Sequence, residues 1–266
     1  MGGPFIIGVG GGGSSSGKTT IASALIRALS GRLNASEVQI NEHASFLKLS
    51  AKKRWGAIKY TKTEFYSSII DDAEILNEPN KDTQRLIEAG AQVVLWVQSP
   101  PENLSEVMPL ALDRLYHLDG IIIEGNSAIE FVNPDVIVFA STGGNKDIKQ
   151  SSWSLLNKAK IVIMSSDSPL FTVYPNILLN CKVFDTWNFN KNNDNDIIIK
   201  EVIDYMETLM NEKKAKELII ERSVEQRISC AEARKIAEET GLPYSSVGKL
   251  ADDLRIKISN CELGCF

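Results

Sequence analysis

The sequence predicts an α/β fold whose mainly parallel sheet carries helices on both faces, followed by a small α/β unit of winged-helix-like pattern. Three observations predict it. Apolar segments of strand length alternate with helical patterns, which is how strands buried on both faces of a parallel sheet read. A glycine-rich loop, Gly12-Gly13-Ser14-Ser15-Ser16-Gly17-Lys18-Thr19, stands between the first apolar segment and the first helical one. Near the end of the chain two short helical patterns meet at Thr240-Gly241-Leu242, the spacing of a helix-turn-helix pair.

The first strand is expected over residues 4–9 and the first helix over 18–31. Residues 33–50 are less regular: 38–41 suit a short strand and 44–49 one or two helical turns. A clear strand follows at 55–60, with 61–66 just beyond its carboxyl end, where open α/β sheets place ligands. Residues 82–89 read as a helix stopped by Gly90, 91–97 as a buried strand, and 102–117 as a helix opened by a Pro-Pro-Glu turn. The most apolar strand is 120–125; strands at 136–140 and 160–164 flank a crossover over 147–156. Asn, Asp and Lys dominate 188–196, which reads as a surface loop before a helical pattern over 197–215. The expected division is a nucleotide-binding domain over 1–215 and a second domain over 216–266, with helices after Ser229 and Leu242 and a strand over 255–259.

Composition bounds the function. The 266 residues suffice for a large core, 24% are charged, and the formal net charge of -5 gives no long-range attraction to nucleic acid or an anionic membrane. No apolar run approaches the 18 residues of a membrane helix, and the first strand follows Met1 almost at once, so a cytoplasmic location is expected. Residues 223–266 hold six Lys/Arg against seven Asp/Glu, which argues against duplex DNA as the partner of the helix pair.

The loop carries the chemistry. Gly12, Gly13 and Gly17 let backbone N–H groups of Gly12 through Thr20 turn inward around phosphates, and the following helix adds its positive end. The Gly-Lys-Thr ending completes the phosphate-loop pattern, so ATP or GTP is the expected ligand: Lys18 would reach the terminal phosphates and Thr19 would coordinate Mg. Such a site needs a carboxylate at a neighbouring strand end. Glu124 stands at the tip of Ile121-Ile-Ile, and Gly125 lets the chain turn away. Asp82 offers a second carboxylate for Mg or water, although it also suits a helix start. Lys59 is the basic residue expected to face phosphate, with Lys62 and Arg85 as weaker candidates.

The loop, Gly56-Ala-Ile-Lys59-Tyr-Thr61, Lys81-Asp82-Thr-Gln-Arg85-Leu-Ile-Glu88-Ala89-Gly90-Ala91 and Ile121-Ile-Ile-Glu124-Gly125 occur in the order found in MobB-like P-loop proteins of molybdopterin guanine dinucleotide biosynthesis, which residues 4–165 resemble. They resemble the dethiobiotin synthetase group more distantly. The resemblance implies a P-loop NTPase, binding of nucleotide and Mg by Lys18, Thr19 and the Glu124 position, and a role in molybdenum or tungsten cofactor maturation. Its implied partners are a molybdopterin-type cofactor or a metalloenzyme-maturation protein, and a homodimer is compatible with it. Tyr60 and Lys62 stand where family members carry histidine, and residues between Leu33 and Lys53 look inserted. A lysine between Gly10 and Ser16, which marks the loops of partitioning and metal-insertion dimer ATPases, is absent. No Asn-Lys-x-Asp guanine reader occurs, so the base stays open; small-molecule kinase or ligase activity and nucleotide-responsive regulation stand as alternatives.

The ending Cys261-Glu-Leu-Gly-Cys265-Phe266 resembles those of cofactor-related microbial proteins. Cys261 and Cys265, with Cys230 as a third ligand and Cys181 or a partner chain as a fourth, suit Zn or an Fe–S cluster; a thiol pair closing the domain and a redox pair suit the same spacing. Trp55, Trp96, Trp153 and Trp187 are expected to pack, and His43 and His117 to serve as surface or capping residues.

Overall fold

A computed structural model describes residues 3–31, 53–141, 148–149, 152–165, 168, 170, 176, 181–185 and 194–259. The chain divides into a unit over Gly3–Ile203 and a second from Asp204 onward. The expected boundary after Ala215 and this division both lie within one helix, Asp194–Arg222.

In chain order the first unit contains β1 (Phe5–Gly11), α1 (Lys18–Leu29), β2 (Trp55–Lys62), β3 (Ser68–Ile70), α2 (Ala73–Leu76), α3 (Asp82–Ala89), β4 (Val93–Ser99), α4 (Leu104–Leu115), β5 (Gly120–Glu124), α5 (Asn126–Val132), β6 (Val136–Ser141), α6 (Trp153–Lys158), β7 (Ile161–Met164) and β8 (Lys182–Asp185). They form one sheet in the order β3-β4-β2-β5-β1-β6-β7-β8. All neighbours are parallel except β3, which runs antiparallel to β4. The mainly parallel α/β fold expected from the sequence is the one observed.

Strand side chains alternate between faces. Ile58, Tyr60, Leu95, Val97, Ile121, Ile123 and Phe139 point one way, into a core with Met108 and Leu115 of α4, Ile129 of α5 and Leu155 of α6. Their alternates, among them Lys59, Trp96 and Glu124, lie on the opposite face, where α1 packs on β1 and β5 and α3 on β2 and β4. Every strand of the sheet centre is buried almost throughout, which explains its apolar sequence. Gly90 ends α3 in a left-handed conformation with φ 107°, the stop that a glycine after an amphipathic run predicts.

Four elements of this unit carried no sequence expectation. β3 and α2 have three and four residues, too few to show a period. α5 and β8 are also short, and α5 follows the Glu124-Gly125 turn directly. One expectation is corrected: Asp194–Asp196 belong to the long helix α7 (Asp194–Arg222) and not to the loop assigned to 188–196. Acidic residues favour a helix N-terminus as much as a loop, so composition alone misplaced them. The elements expected at 38–41 and 44–49 lie outside the described residues.

The second unit contains the later part of α7, then β9 (Arg227–Ser229), α8 (Cys230–Thr240), α9 (Tyr244–Asp253) and β10 (Lys257–Ser259). Ser229 caps α8 by accepting a hydrogen bond from the Glu232 N–H at 3.2 Å, and Gly241 closes it at φ 70°. The strands flank the helix pair and join in parallel, Ile258 opposite Ile228. Ala215 and Ile219 of α7 share its core with Ile228, Ile236, Val247 and Leu250.

Candidate functional site

The glycine-rich loop runs from the end of β1 to the start of α1. Gly11 has no room for a side chain: a Cβ there would lie 2.2 Å from Ser16 Oγ and 2.8 Å from the Ala140 carbonyl. Ser15 and Gly17 adopt positive φ values of 60° and 87°, which bend the backbone into a concave turn before α1. The Ser16 hydroxyl donates to the Gly13 carbonyl at 3.0 Å. The Lys18 ammonium folds back over the loop, donating to the same carbonyl and to Ser16 Oγ at 3.3 Å. Gly12 and Ser16 are buried, Gly13 and Gly17 half-buried, and Ser14, Ser15 and Thr20 exposed at the rim. No acidic residue of α1 itself stands in its first turn. Burial lowers the Lys18 pKa; Glu124 opposes the shift and Lys59 adds to it.

Register brings the second component beside the loop. Glu124 ends β5 opposite Val9 of β1 on one side and Lys59 of β2 on the other. The chain then turns at Gly125, whose φ of 136° and a Cβ contact of 2.9 Å with Tyr60 both require glycine. Glu124 is 1% exposed. Its Oε1 accepts the Thr19 hydroxyl at 2.8 Å and the Lys59 ammonium at 2.5 Å, and its Oε2 is buried without a hydrogen-bond partner among the described residues. Lys59 also meets Asp82 Oδ2 at 2.5 Å. Burial works against the charge of Asp82, but Lys59, the Thr19 hydroxyl and Arg85 outweigh it and hold the carboxyl below its ordinary pKa. Arg85 donates to Thr20 Oγ1 at 2.9 Å and so ties α3 to α1.

Lys18 and Thr19, with Lys59, Asp82 and Glu124 from distant parts of the sequence, therefore stand together at the carboxyl end of the sheet. Lys62 is exposed at the end of β2, and His117 is exposed after α4. Cys230 is buried at the start of α8; Cys261 and Cys265, with His43 and Trp187, lie outside the described residues. Among the described residues no group of three or more His, Cys, Asp or Glu could hold a metal.

Two contributors escaped sequence reasoning. The Asn126 side chain brackets Gly11, accepting its N–H at 3.1 Å and donating to its carbonyl at 2.9 Å. Its position two residues after Glu124 was the available clue. Trp96, expected only to pack, lines a cavity of about 280 Å³ with Lys59, Thr61, Asn80 and Asp82. The even spacing of Val94, Trp96 and Gln98 puts it on the Lys59 face, and its indole N–H donates to Thr61 Oγ1 at 2.9 Å.

No protein-family model matches this chain, and no curated protein does. Solved structures give low likenesses. HypB from Helicobacter pylori in complex with nickel is 11% identical with a TM-score of 0.43, over 77% of this chain and 86% of that one. A LAO/AO transport system kinase is 12% identical with a TM-score of 0.35, over 96% and 82%. A ParA family ATPase from Chlorobium tepidum TLS is 13% identical with a TM-score of 0.35, over 74% and 89%. The chemistry of the site accordingly rests on its own residues.

Proposed function

We propose that this protein is a magnesium-dependent nucleoside triphosphatase of low intrinsic activity, acting as an accessory factor in molybdenum or tungsten cofactor maturation. The observation that carries the nucleotide reading is Glu124: a buried carboxylate that holds the Thr19 hydroxyl at the mouth of a phosphate loop and keeps one oxygen unpartnered. The order of the four motif segments supports the cofactor-maturation role.

In this reading the loop N–H groups and the N-terminus of α1 bind the phosphates, and Lys18 leaves the Gly13 carbonyl for the terminal phosphate oxygens. Thr19 and Glu124 would hold magnesium, which when bound neutralises phosphate charge and polarises the terminal phosphoryl group. Lys59, between Glu124 and Asp82, fixes both carboxylates and adds positive charge beside the transferring group. Asp82, a weak base because its pKa is depressed, orients the attacking water rather than removing its proton early.

The test is direct binding of ATP and GTP with and without magnesium, followed by hydrolysis. Lys18→Ala should abolish binding, and Glu124→Gln should remove the magnesium dependence and reduce the rate by about a hundredfold or more. Wild-type protein that binds neither nucleotide at millimolar concentration would end this reading.

The cavity beside Trp96 favours a second reading, phosphoryl transfer to a small acceptor. It opens on Lys59 and Asp82, next to where the terminal phosphate would lie. Transfer of label from the terminal phosphate to a defined metabolite, saturable and weakened in Trp96→Ala, separates this case from transfer to water.

A further inference from the structure

We propose that Asn126 is a positioning residue of the phosphate loop, and that its side-chain amide replaces the backbone which β5 ceases to supply. β5 pairs with β1 only as far as Glu124 opposite Val9. The chain then turns at Gly125 into α5, so Gly11, two residues further along β1, has no β5 residue beside it. Asn126 fills that place. Its Oδ1 accepts the Gly11 N–H and its Nδ2 donates to the Gly11 carbonyl, the two bonds a strand neighbour would make. The same nitrogen also donates to Ser152 Oγ at 3.1 Å, so the amide uses its oxygen and both hydrogens.

On its other side Gly11 pairs with Ala140 of β6. The last strand residue before the loop is thus held from both directions, which fixes where Gly12 and Gly13 begin their turn. Ser152 extends the hold by reaching the Gly12 carbonyl at 3.5 Å. Since Glu124 and Asn126 flank one glycine, a single turn positions both the carboxylate that faces Thr19 and the strand end that launches the loop. The consequence for affinity rests on the nucleotide reading above; the consequence for loop order does not.

The experiment compares Asn126→Ala with a substitution of Ile129, a buried α5 residue that packs toward Gly8. Ile129→Val or Ile129→Ala is chosen to match the loss of melting temperature in Asn126→Ala. Full-length proteins are assayed well below that temperature. Asn126→Ala should weaken magnesium–nucleotide binding by about tenfold, the worth of a side-chain hydrogen-bond pair, with the rate at saturation changed less than threefold. Ser152→Ala should weaken it less, and the Ile129 variant should bind within twofold of wild type. Without nucleotide, amide exchange over Gly11–Ser16 should quicken in Asn126→Ala and not in the Ile129 variant. Equal affinities in the two variants, or equal exchange, would overturn the proposal. If wild type binds no nucleotide the functional reading fails by itself, and the exchange comparison still decides the role of Asn126.

Discussion

Two ion-paired regions of this molecule use the same side-chain chemistry for different ends. At the loop, Lys59 joins Glu124 and Asp82; the Glu124 side chain is 2% exposed and that of Lys59 15%. In the second unit, Arg222 of α7 grips Glu239 of α8 through two hydrogen bonds of 3.0 and 2.8 Å, with side chains 28% and 44% exposed. The surface pair loses little solvation when it forms and little when it breaks. At the loop, Glu124 and Lys59 have given up most of their water, so each of those two charges depends on the other, while Asp82 keeps part of its solvation. A buried set of this kind is weak evidence for stability and better evidence for a site. The difference teaches that burial of the carboxylate, and not the number of ion pairs, sets the cluster proposed as a site apart from a surface fastening.

Breaking the cluster should have the largest effect. Lys59→Met leaves Glu124 in an apolar strand end with the Thr19 hydroxyl as its one remaining hydrogen-bond donor among the described residues and the Lys18 ammonium as a cation that does not bond it. Removing one partner of a buried pair costs about 3–5 kcal/mol, far more than the pair contributes net. Urea unfolding should show the loss as a lower midpoint with unchanged slope. If Lys59→Met unfolds like wild type, Glu124 reaches water and the contrast between the two regions collapses.

A second measurement sharpens the comparison through pH. The Asp82 carboxyl is held below its ordinary pKa in the folded protein, so the unfolded chain binds its proton first as pH falls. Its contribution is therefore complete above the ordinary carboxylate range, near pH 4, and is lost as pH drops through the lower folded value. Asp82→Asn should flatten this part of the acid limb of stability against pH. Because Asp82 is 42% exposed on its side chain, the change should be smaller than that in Lys59→Met. An acid limb identical in both proteins would mean that Lys59 serves Glu124 alone.

Much of this was legible from residues alone, and the limit has a physical form. The loop is a local pattern, and Glu124 is marked by an apolar run that ends in carboxylate and glycine, so each could be assigned without a partner. The strands of the sheet centre were visible because burial on both faces leaves them almost without polar residues. Asn126 and Trp96 had no such mark. Their roles depend on what lies beside them across strands, Gly11 for one and Lys59 for the other, and pairing of strands distant in sequence is not written in local periodicity. The start of α7 was lost for the opposite reason, since Asp and Asn satisfy a helix N-terminus and a loop equally well.

The smallest expected effect is at the surface pair. Arg222 lies at the end of α7 and Glu239 near the end of α8, and their hydrogen bonds hold the Glu239 carboxyl below its ordinary pKa while raising that of Arg222. Both groups remain in water, and exposed pairs are weakened by salt and by the entropy of holding two long side chains. Arg222 also approaches Glu232 at 3.7 Å, so one guanidinium answers two carboxylates on α8. Glu239→Gln should therefore move the melting temperature by no more than about 2 °C, and 0.5 M salt should remove most of the difference. Arg222→Ala should do slightly more, because it strips Glu239 of its cation and removes the farther of two from Glu232, which keeps Lys235 at 2.7 Å. A shift comparable to that of Lys59→Met would show that α7 and α8 are fastened by this pair rather than by Ile219, Ile236 and their apolar neighbours, and burial would no longer separate the two regions.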